Sequence, residues 1–171
     1  MKFLHLSAFS IIITISFGMM AAFGDMPTDA QVTAHRSVLD LAGAFTNDGF
    51  KLRDGDYSTT LKAGQSTIVQ VNLYAGNEYW FAVSTSDAKS AVTIAVYNEA
   101  GKVMKTEPYA SQADETVKQG KADAQTNPDP DANSTNRAAA GFAPDASGPY
   151  YVKIANTTGA PATCCLIYSY K

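Results

Sequence analysis

The sequence predicts a mainly all-β protein, an antiparallel β-sandwich of jelly-roll type that carries one α-helix at its N-terminal end. About eight short segments of alternating apolar and polar residues follow one another, separated by Gly, Asn, Asp and Pro turns at intervals of roughly 8–12 residues. The strands do not alternate with helices, so the chain lacks the βαβ units of a parallel sheet. These features favour two antiparallel sheets packed face to face.

Residues 1–24 have the features of a secretory signal peptide. Lys2 precedes an apolar run over residues 4–23, which ends in the small-x-small cleavage pattern Ala-Phe-Gly. We expect cleavage before Asp25, a periplasmic or secreted location, and no membrane span in the mature chain. An uncleaved anchor is the alternative, since the run approaches the length of a span, although Ser and Thr residues interrupt it.

The segment over residues 25–49 predicts a helix. Thr28 and Gln31 have the spacing of a capping box, in which the N-cap and N3 side chains satisfy each other's backbone N–H groups. Apolar residues then recur at helical spacing, which predicts a helix from about Asp29 to Phe45. His35, the one histidine that remains after cleavage, lies on this helix. We expect it to be a packed or rim residue rather than a ligand or a base.

Residues 50–171 hold the predicted sandwich. The strand that ends at Leu73 and the strand that begins at Tyr79 are separated by Gly76-Asn77, which is typical of a two-residue hairpin loop. We therefore expect these two strands to pair, with Trp80 on the same face as Leu73. Three later segments alternate in the same way and are predicted strands: Val92–Val96, Tyr150–Ile154 and Thr163–Tyr170.

A polar segment over about residues 107–140 interrupts the strands. Between residues 111 and 140 the sole large apolar residue is Val117. Ordering one residue's backbone costs about 1–2 kcal/mol, and one buried valine stabilises by only about 1.5–3 kcal/mol. We therefore expect a long, partly mobile surface insertion in the sandwich domain.

Charge and composition disfavour several functions. The formal net charge is −3 at pH 7, so the chain has no basic surface for nucleic acid. It has no Gly-x-Ser-x-Gly motif, and any nucleophile would depend on the helix residue His35 for its base. We therefore assign no catalytic residues, and a hydrolase is the least favoured of the functions considered.

Cys164 and Cys165 are the only cysteines. Adjacent Cα atoms lie about 3.8 Å apart, too close for an ordinary disulfide between them. In a strand their side chains point to opposite faces. We expect two small buried residues, and the alternative is an intermolecular disulfide if the last strand lies at a sheet edge.

Asp129, Asp131 and Asn133 have the opening spacing of a calcium-binding loop. Ser134 stands where such a loop requires Gly, and Ala140 stands where it requires Glu. A solvated acidic loop is therefore favoured over a calcium site, and no cofactor is expected.

The aromatic residues are the best ligand candidates. Trp80, Tyr97, Tyr74 and Tyr151 lie in or beside predicted strands. Flat aromatic rings on a sandwich surface can stack on sugars or contact a protein partner. Aromatic packing in the core and at strand ends is the alternative.

Three motifs resemble those of the bacterial pre-peptidase C-terminal domains: Leu-Lys-Ala-Gly-Gln at residues 61–65, the strand over residues 92–98, and Gly-Pro-Tyr-Tyr-Val-Lys-Ile at residues 148–154. The resemblance covers about residues 57–170 apart from the insertion. It implies an exported jelly-roll module with a non-catalytic role, here free-standing. The family often carries an Asp where residues 90–91 are Ser-Ala, and no site residues carry over.

Together these features predict an exported, non-catalytic binding or accessory protein of the bacterial cell envelope or secretome. The expected partner is a polysaccharide or an envelope protein. A structural or self-assembling envelope subunit is the alternative, and the sequence leaves the oligomeric state open.

Overall fold

The fold was analysed in a computed structural model that describes residues 26–109 and 136–171. It is a β-sandwich of two antiparallel sheets with one helix, which confirms the predicted fold class. The elements are α1 (Asp29–Asn47), β1 (Lys51–Leu52), β2 (Tyr57–Leu61), β3 (Ser66–Leu73), β4 (Tyr79–Thr85), β5 (Val92–Asn98), β6 (Glu107–Pro108), β7 (Arg137–Phe142), β8 (Gly148–Asn156) and β9 (Ala162–Tyr170).

The two sheets have the strand order of a jelly roll. The larger sheet runs β1-β9-β4-β7-β6, with β2 also paired to β9, and the smaller sheet runs β3-β8-β5. Val103 bridges to Tyr97, and the Met104 N–H donates to the Val96 carbonyl, so the chain after β5 lies along the outer edge of that strand. From β2 to β5 each connection crosses from one sheet to the other.

This alternation shows that the predicted hairpin is wrong. β3 pairs with β8, whereas β4 pairs with β7 and β9 in the other sheet. The turn at Gly76 has φ 89°, as a tight reversal requires, but it is a corner between sheets. The Tyr79 hydroxyl accepts from the Tyr74 N–H and thereby closes this corner. Trp80 consequently faces away from Leu73, and its neighbour Phe81 enters the core.

The core lies between the two sheets. Alternate residues of β4 and β9 meet alternate residues of β3, β5 and β8 there, as the period-two pattern predicts. The fully buried members include Phe81, Leu73, Val96, Val152 and Ile154.

The helix forms a third layer on the outer face of the larger sheet. The Thr28–Gln31 capping box is present, and Ala34, Val38 and Phe45 of α1 are buried against β4 and β9. Within the described residues no helix has the length and apolar character needed to cross a membrane. The outer face of the smaller sheet carries no comparable layer in the described part of the chain.

Two predicted segments fall largely outside the described residues: the signal peptide at residues 1–24 and most of the polar insertion. The ends of the insertion are described, and they pair with each other as β6 and β7. The strand that follows the insertion therefore begins at Arg137, inside the segment over residues 107–140 that was predicted to be polar and partly mobile. Small alanines in β7 explain why the sequence pattern missed this strand, since Ala138 packs toward the core and Ala139 packs toward the helix.

Candidate functional site

The outer face of the smaller sheet is the first candidate site. Tyr151 of β8 stands directly opposite Tyr97 of β5 on one side and Gln70 of β3 on the other. Their neighbours along the strands, such as Val96 and Val152, are buried in the core, so these three side chains point outward. We call the surface formed by this row and its neighbours the tyrosine face.

The two tyrosines are cross-strand neighbours on the outer face of the sheet. Side chains directly opposite on antiparallel strands have Cβ atoms about 5 Å apart, and both residues are partly exposed. The next row of the tyrosine face is Ile68, Lys153 and Ala95, in which Ile68 is 59% exposed. These two rows therefore place aromatic rings, an amide and a cation on one three-stranded surface.

The other two predicted ligand residues do not join this face. Trp80 stacks on Phe45 with ring centroids 4.7 Å apart and meets the ring of Tyr109 edge-on, so its ring is part of the packing between helix and sheet. Gly141 lies directly beneath the Trp80 ring. Tyr74 is 60% exposed, but it lies in the corner after β3. The sequence therefore suggested four residues, and the structure brings two of them together.

The calcium candidates Asp129, Asp131 and Asn133 lie outside the described residues. The cysteines are described and both are buried, as expected, and the sheet-edge position on which the alternative of an intermolecular disulfide depended is not observed. Cys164 and Cys165 are free thiols with no exposed surface, and β9 lies inside the larger sheet rather than at its edge. Their side chains face opposite layers as predicted, with Cys164 in the core and Cys165 under the helix.

The second candidate site is a polar cluster beside the helix, formed by His35, Asp56 and Cys165. We call it the His35 cluster. The His35 Nδ1 lies 3.6 Å from the Asp56 Oδ2, and the Cys165 Sγ lies 3.4 Å from the same oxygen and 3.7 Å from the His35 Nδ1. His35 is thus the rim residue that the sequence predicts, but it has titratable partners that the sequence did not indicate.

Three different elements position this cluster. The Ser84 hydroxyl donates a buried hydrogen bond of 2.6 Å to the Ala34 carbonyl, which fixes the helix over the sheet next to His35. Ser84 is the register partner of Cys165 on β4. Asp56 comes from the turn before β2, where Gly55 has φ 95° and so takes the left-handed conformation that glycine tolerates.

The environment of the cluster shifts the pKa values of its carboxyl and its thiol in opposite directions. Desolvation acts to raise the pKa of Asp56, but hydrogen bonds from Ser58 and Cys165 and the nearby His35 outweigh it, so the pKa of this carboxyl is below its ordinary value. Burial raises the pKa of the Cys165 thiol to about 11, and the adjacent carboxylate acts in the same direction. The thiol is therefore protonated at neutral pH and is not an activated nucleophile.

Asp56 is the residue that sequence analysis missed. It lies in an Asp-Gly-Asp turn, where an acidic residue is ordinarily solvated, and more than a hundred residues separate it from Cys165. Its one local signal is Ser58, two residues further on, whose hydroxyl donates to the Asp56 Oδ2 over 2.8 Å. Comparison with protein-family models and with curated proteins gives no match. The resemblance to pre-peptidase C-terminal domains therefore stays a prediction.

Proposed function

We propose that the protein is an exported, non-catalytic binding module of the bacterial cell envelope or secretome, and that it binds a polysaccharide on the tyrosine face. The observation that carries the proposal is the row of Tyr97, Tyr151 and Gln70 on a sheet face that no described helix or strand covers. Export is motivated by the signal-peptide features of residues 1–24.

The chemistry of the tyrosine face favours a sugar chain. Aromatic rings present apolar surfaces on which the C–H faces of a pyranose can stack, and the Gln70 amide can exchange hydrogen bonds with hydroxyl groups. The face is three strands wide, so an extended chain can lie across it. In the two rows named above Lys153 is the one cation, which is too little charge for a phosphate backbone.

The proposal is tested by retention on cellulose, chitin, xylan and peptidoglycan. We expect one of these polymers to retain the protein, and the Tyr97→Ala, Tyr151→Ala double variant to bind it roughly tenfold more weakly. This magnitude follows because an aromatic contact contributes about 0.5–1.5 kcal/mol and about 1.4 kcal/mol corresponds to a factor of ten.

Tyr170→Ala is the matched control. Tyr170 is also an exposed tyrosine, 37% accessible, but it ends β9 in the other sheet. The control should bind as the wild type does, and circular dichroism should show all variants folded. Equal binding by the double variant and the wild type, or retention on none of the four polymers, would exclude a polysaccharide site on the tyrosine face.

A second candidate function, a self-assembling envelope subunit, is favoured by the edge of β3. This strand is eight residues long and contains no proline and no charged residue. Within the described residues no strand pairs with its outer edge. Natural edge strands usually carry charges, prolines or bulges that prevent pairing with another chain. The β3 edge lacks the first two and is therefore suited to pairing with a second copy of the chain.

Sedimentation velocity over a range of protein concentrations tests this second candidate. We expect reversible association that Ile68→Lys weakens, because a lysine on the edge strand opposes pairing. Val32→Lys is the control, since Val32 is also apolar and 45% exposed but lies on α1. A strictly monomeric protein at every concentration, or equal association of the two variants, would rule out assembly through this edge.

A further inference from the structure

The His35 cluster presents three different ligand atoms at nearly equal separations. The three distances between the His35 Nδ1, the Asp56 Oδ2 and the Cys165 Sγ are 3.4, 3.6 and 3.7 Å. Zn²⁺ binds nitrogen, oxygen and sulfur at about 2.0–2.3 Å, and tetrahedral angles then place the ligand atoms about 3.3–3.6 Å apart. The observed triangle matches the face of a zinc tetrahedron to within about 0.3 Å.

We propose that His35, Asp56 and Cys165 form a site for one Zn²⁺ ion, with a fourth coordination position open to solvent. Imidazole and thiolate suit zinc and neighbouring transition metals, whereas Ca²⁺ and Mg²⁺ take oxygen ligands. A site with three protein ligands leaves one position for water or an added ligand.

Exposure around the cluster provides the route by which an ion enters. The side chains of His35 and Asp56 are 43% and 37% exposed, while Cys165 has no exposed surface and forms the floor of the site. An ion can therefore arrive from solvent between the helix and the turn before β2. The same opening accommodates the fourth ligand.

The residues around the triad hold it in place without the metal. Ser58 donates to the Asp56 Oδ2 and leaves that oxygen a second lone pair for the ion. Cys165 is held inside the sheet between its register partners Ser58 on β2 and Ser84 on β4. Such outer-shell hydrogen bonds orient metal ligands and fix their geometry.

Binding requires the loss of one proton from the site. The Cys165 thiol loses its proton to solvent as the Zn–S bond forms, so one H⁺ is released for each ion bound. The His35 imidazole coordinates through Nδ1 and carries its own proton on Nε2. The thiolate and the Asp56 carboxylate then formally balance the two positive charges of the ion.

A cobalt titration of the metal-stripped, tag-free full chain tests the site. Co²⁺ substitutes for Zn²⁺, and a thiolate ligand gives a charge-transfer band that oxygen or nitrogen ligands alone do not give. We expect this band to saturate at one Co²⁺ per chain and to disappear when one equivalent of Zn²⁺ is added. At a Zn²⁺ concentration of about 100 Kd the melting temperature should rise by roughly 5–10 °C.

Three variants and one matched control separate this site from other cation binding. His35→Gln and Asp56→Asn each remove a ligand at a partly exposed position and should weaken binding by more than about tenfold. Asp54→Asn is the matched control, since this carboxylate lies two residues from Asp56 in the same turn. Ser58→Ala keeps all three ligands and should weaken binding about tenfold through the orientation of Asp56.

The proposal is overturned if no thiolate band develops, or if His35→Gln and Asp56→Asn bind the ion as tightly as Asp54→Asn does. The first result would mean that the cluster is held by hydrogen bonds alone, and the second that the ion binds elsewhere. Circular dichroism of each variant verifies its fold. None of these measurements involves a polysaccharide, so the metal site and the binding role of the tyrosine face are tested independently of each other.

Discussion

Asn156→Ala is predicted to be among the most destabilising single substitutions in the described part of the chain. Asn156 ends β8 and has no exposed surface. Its amide nitrogen donates to the Ala160 carbonyl over 2.7 Å and to the Leu61 carbonyl over 3.1 Å, and its amide oxygen accepts from the Thr158 N–H over 3.0 Å. One side chain thus joins the corner from β2 to β3 to the corner from β8 to β9, where the chain passes between sheets.

The magnitude follows from the groups left without partners. A buried donor or acceptor that loses its partner costs about 1–3 kcal/mol. Alanine would leave the Leu61 carbonyl in this state, and it would also remove the partners of the part-buried Ala160 carbonyl and Thr158 N–H. With partial relaxation we expect a loss of about 3–5 kcal/mol in the free energy of unfolding, or roughly 6–20 °C in melting temperature. Urea unfolding followed by the fluorescence of the single tryptophan, Trp80, measures this loss.

Asn72→Ala is the control for Asn156→Ala. Asn72 is exposed on the outer side of β3, so its replacement should change the free energy of unfolding by no more than about 0.5 kcal/mol. A cost below about 1 kcal/mol for Asn156→Ala would refute the role of this amide as the link between the two corners.

Three further predictions concern the core and the insertion. Gly141→Ala places a Cβ 3.0 Å from the Trp80 ring, so it should cost about 1–3 kcal/mol and shift the tryptophan emission, whereas Gly43→Ala, which meets nothing within 4 Å on the helix, should be neutral or stabilising. Burial raises the pKa of both cysteine thiols to about 11, so a thiol reagent at pH 8 should modify neither thiol in the native, metal-free chain and both thiols after unfolding. Rapid modification of the native chain would contradict their burial. Replacing residues 112–134 by a short Gly/Ser linker should keep the melting temperature within a few degrees, because β6 and β7 already pair at its two ends, and a collapse of the transition would show that the segment is required for the fold.

Local patterns were sufficient for the helix and the main strands other than β7, but not for the pairing of β3 and β4. The capping box at Thr28 and the alternation in β4, β5, β8 and β9 depend on neighbouring residues, so the sequence displays them directly. A Gly-Asn turn between two strands is the same signal whether the strands pair or enter different sheets. Which of the two arrangements forms depends on β8 and β9, which lie about 70 residues further along the chain and pair with β3 and β4, respectively.

For the candidate sites, too, the sequence shows individual residues but not how the fold brings them together. Tyr97 and Tyr151 could be named from the sequence as aromatic candidates, but their alignment in one row depends on the register between β5 and β8. His35 was expected at the rim of the helix, and its approach to Cys165 depends on where the Ser84 hydrogen bond fixes that helix. Such long-range placements leave no local pattern, so they could not be predicted from one sequence.

Amide chemical-shift mapping with cellohexaose, chitohexaose and xylohexaose tests most directly whether the tyrosine face is the binding surface. We predict that one of these oligosaccharides shifts the amide signals of Tyr97, Tyr151 and Lys153 in a saturable way and leaves those of β9 unchanged. Shifts concentrated around Trp80 would contradict a sugar-binding site on the smaller sheet, and no shifts with any of the three would contradict binding of cellulose, chitin or xylan there.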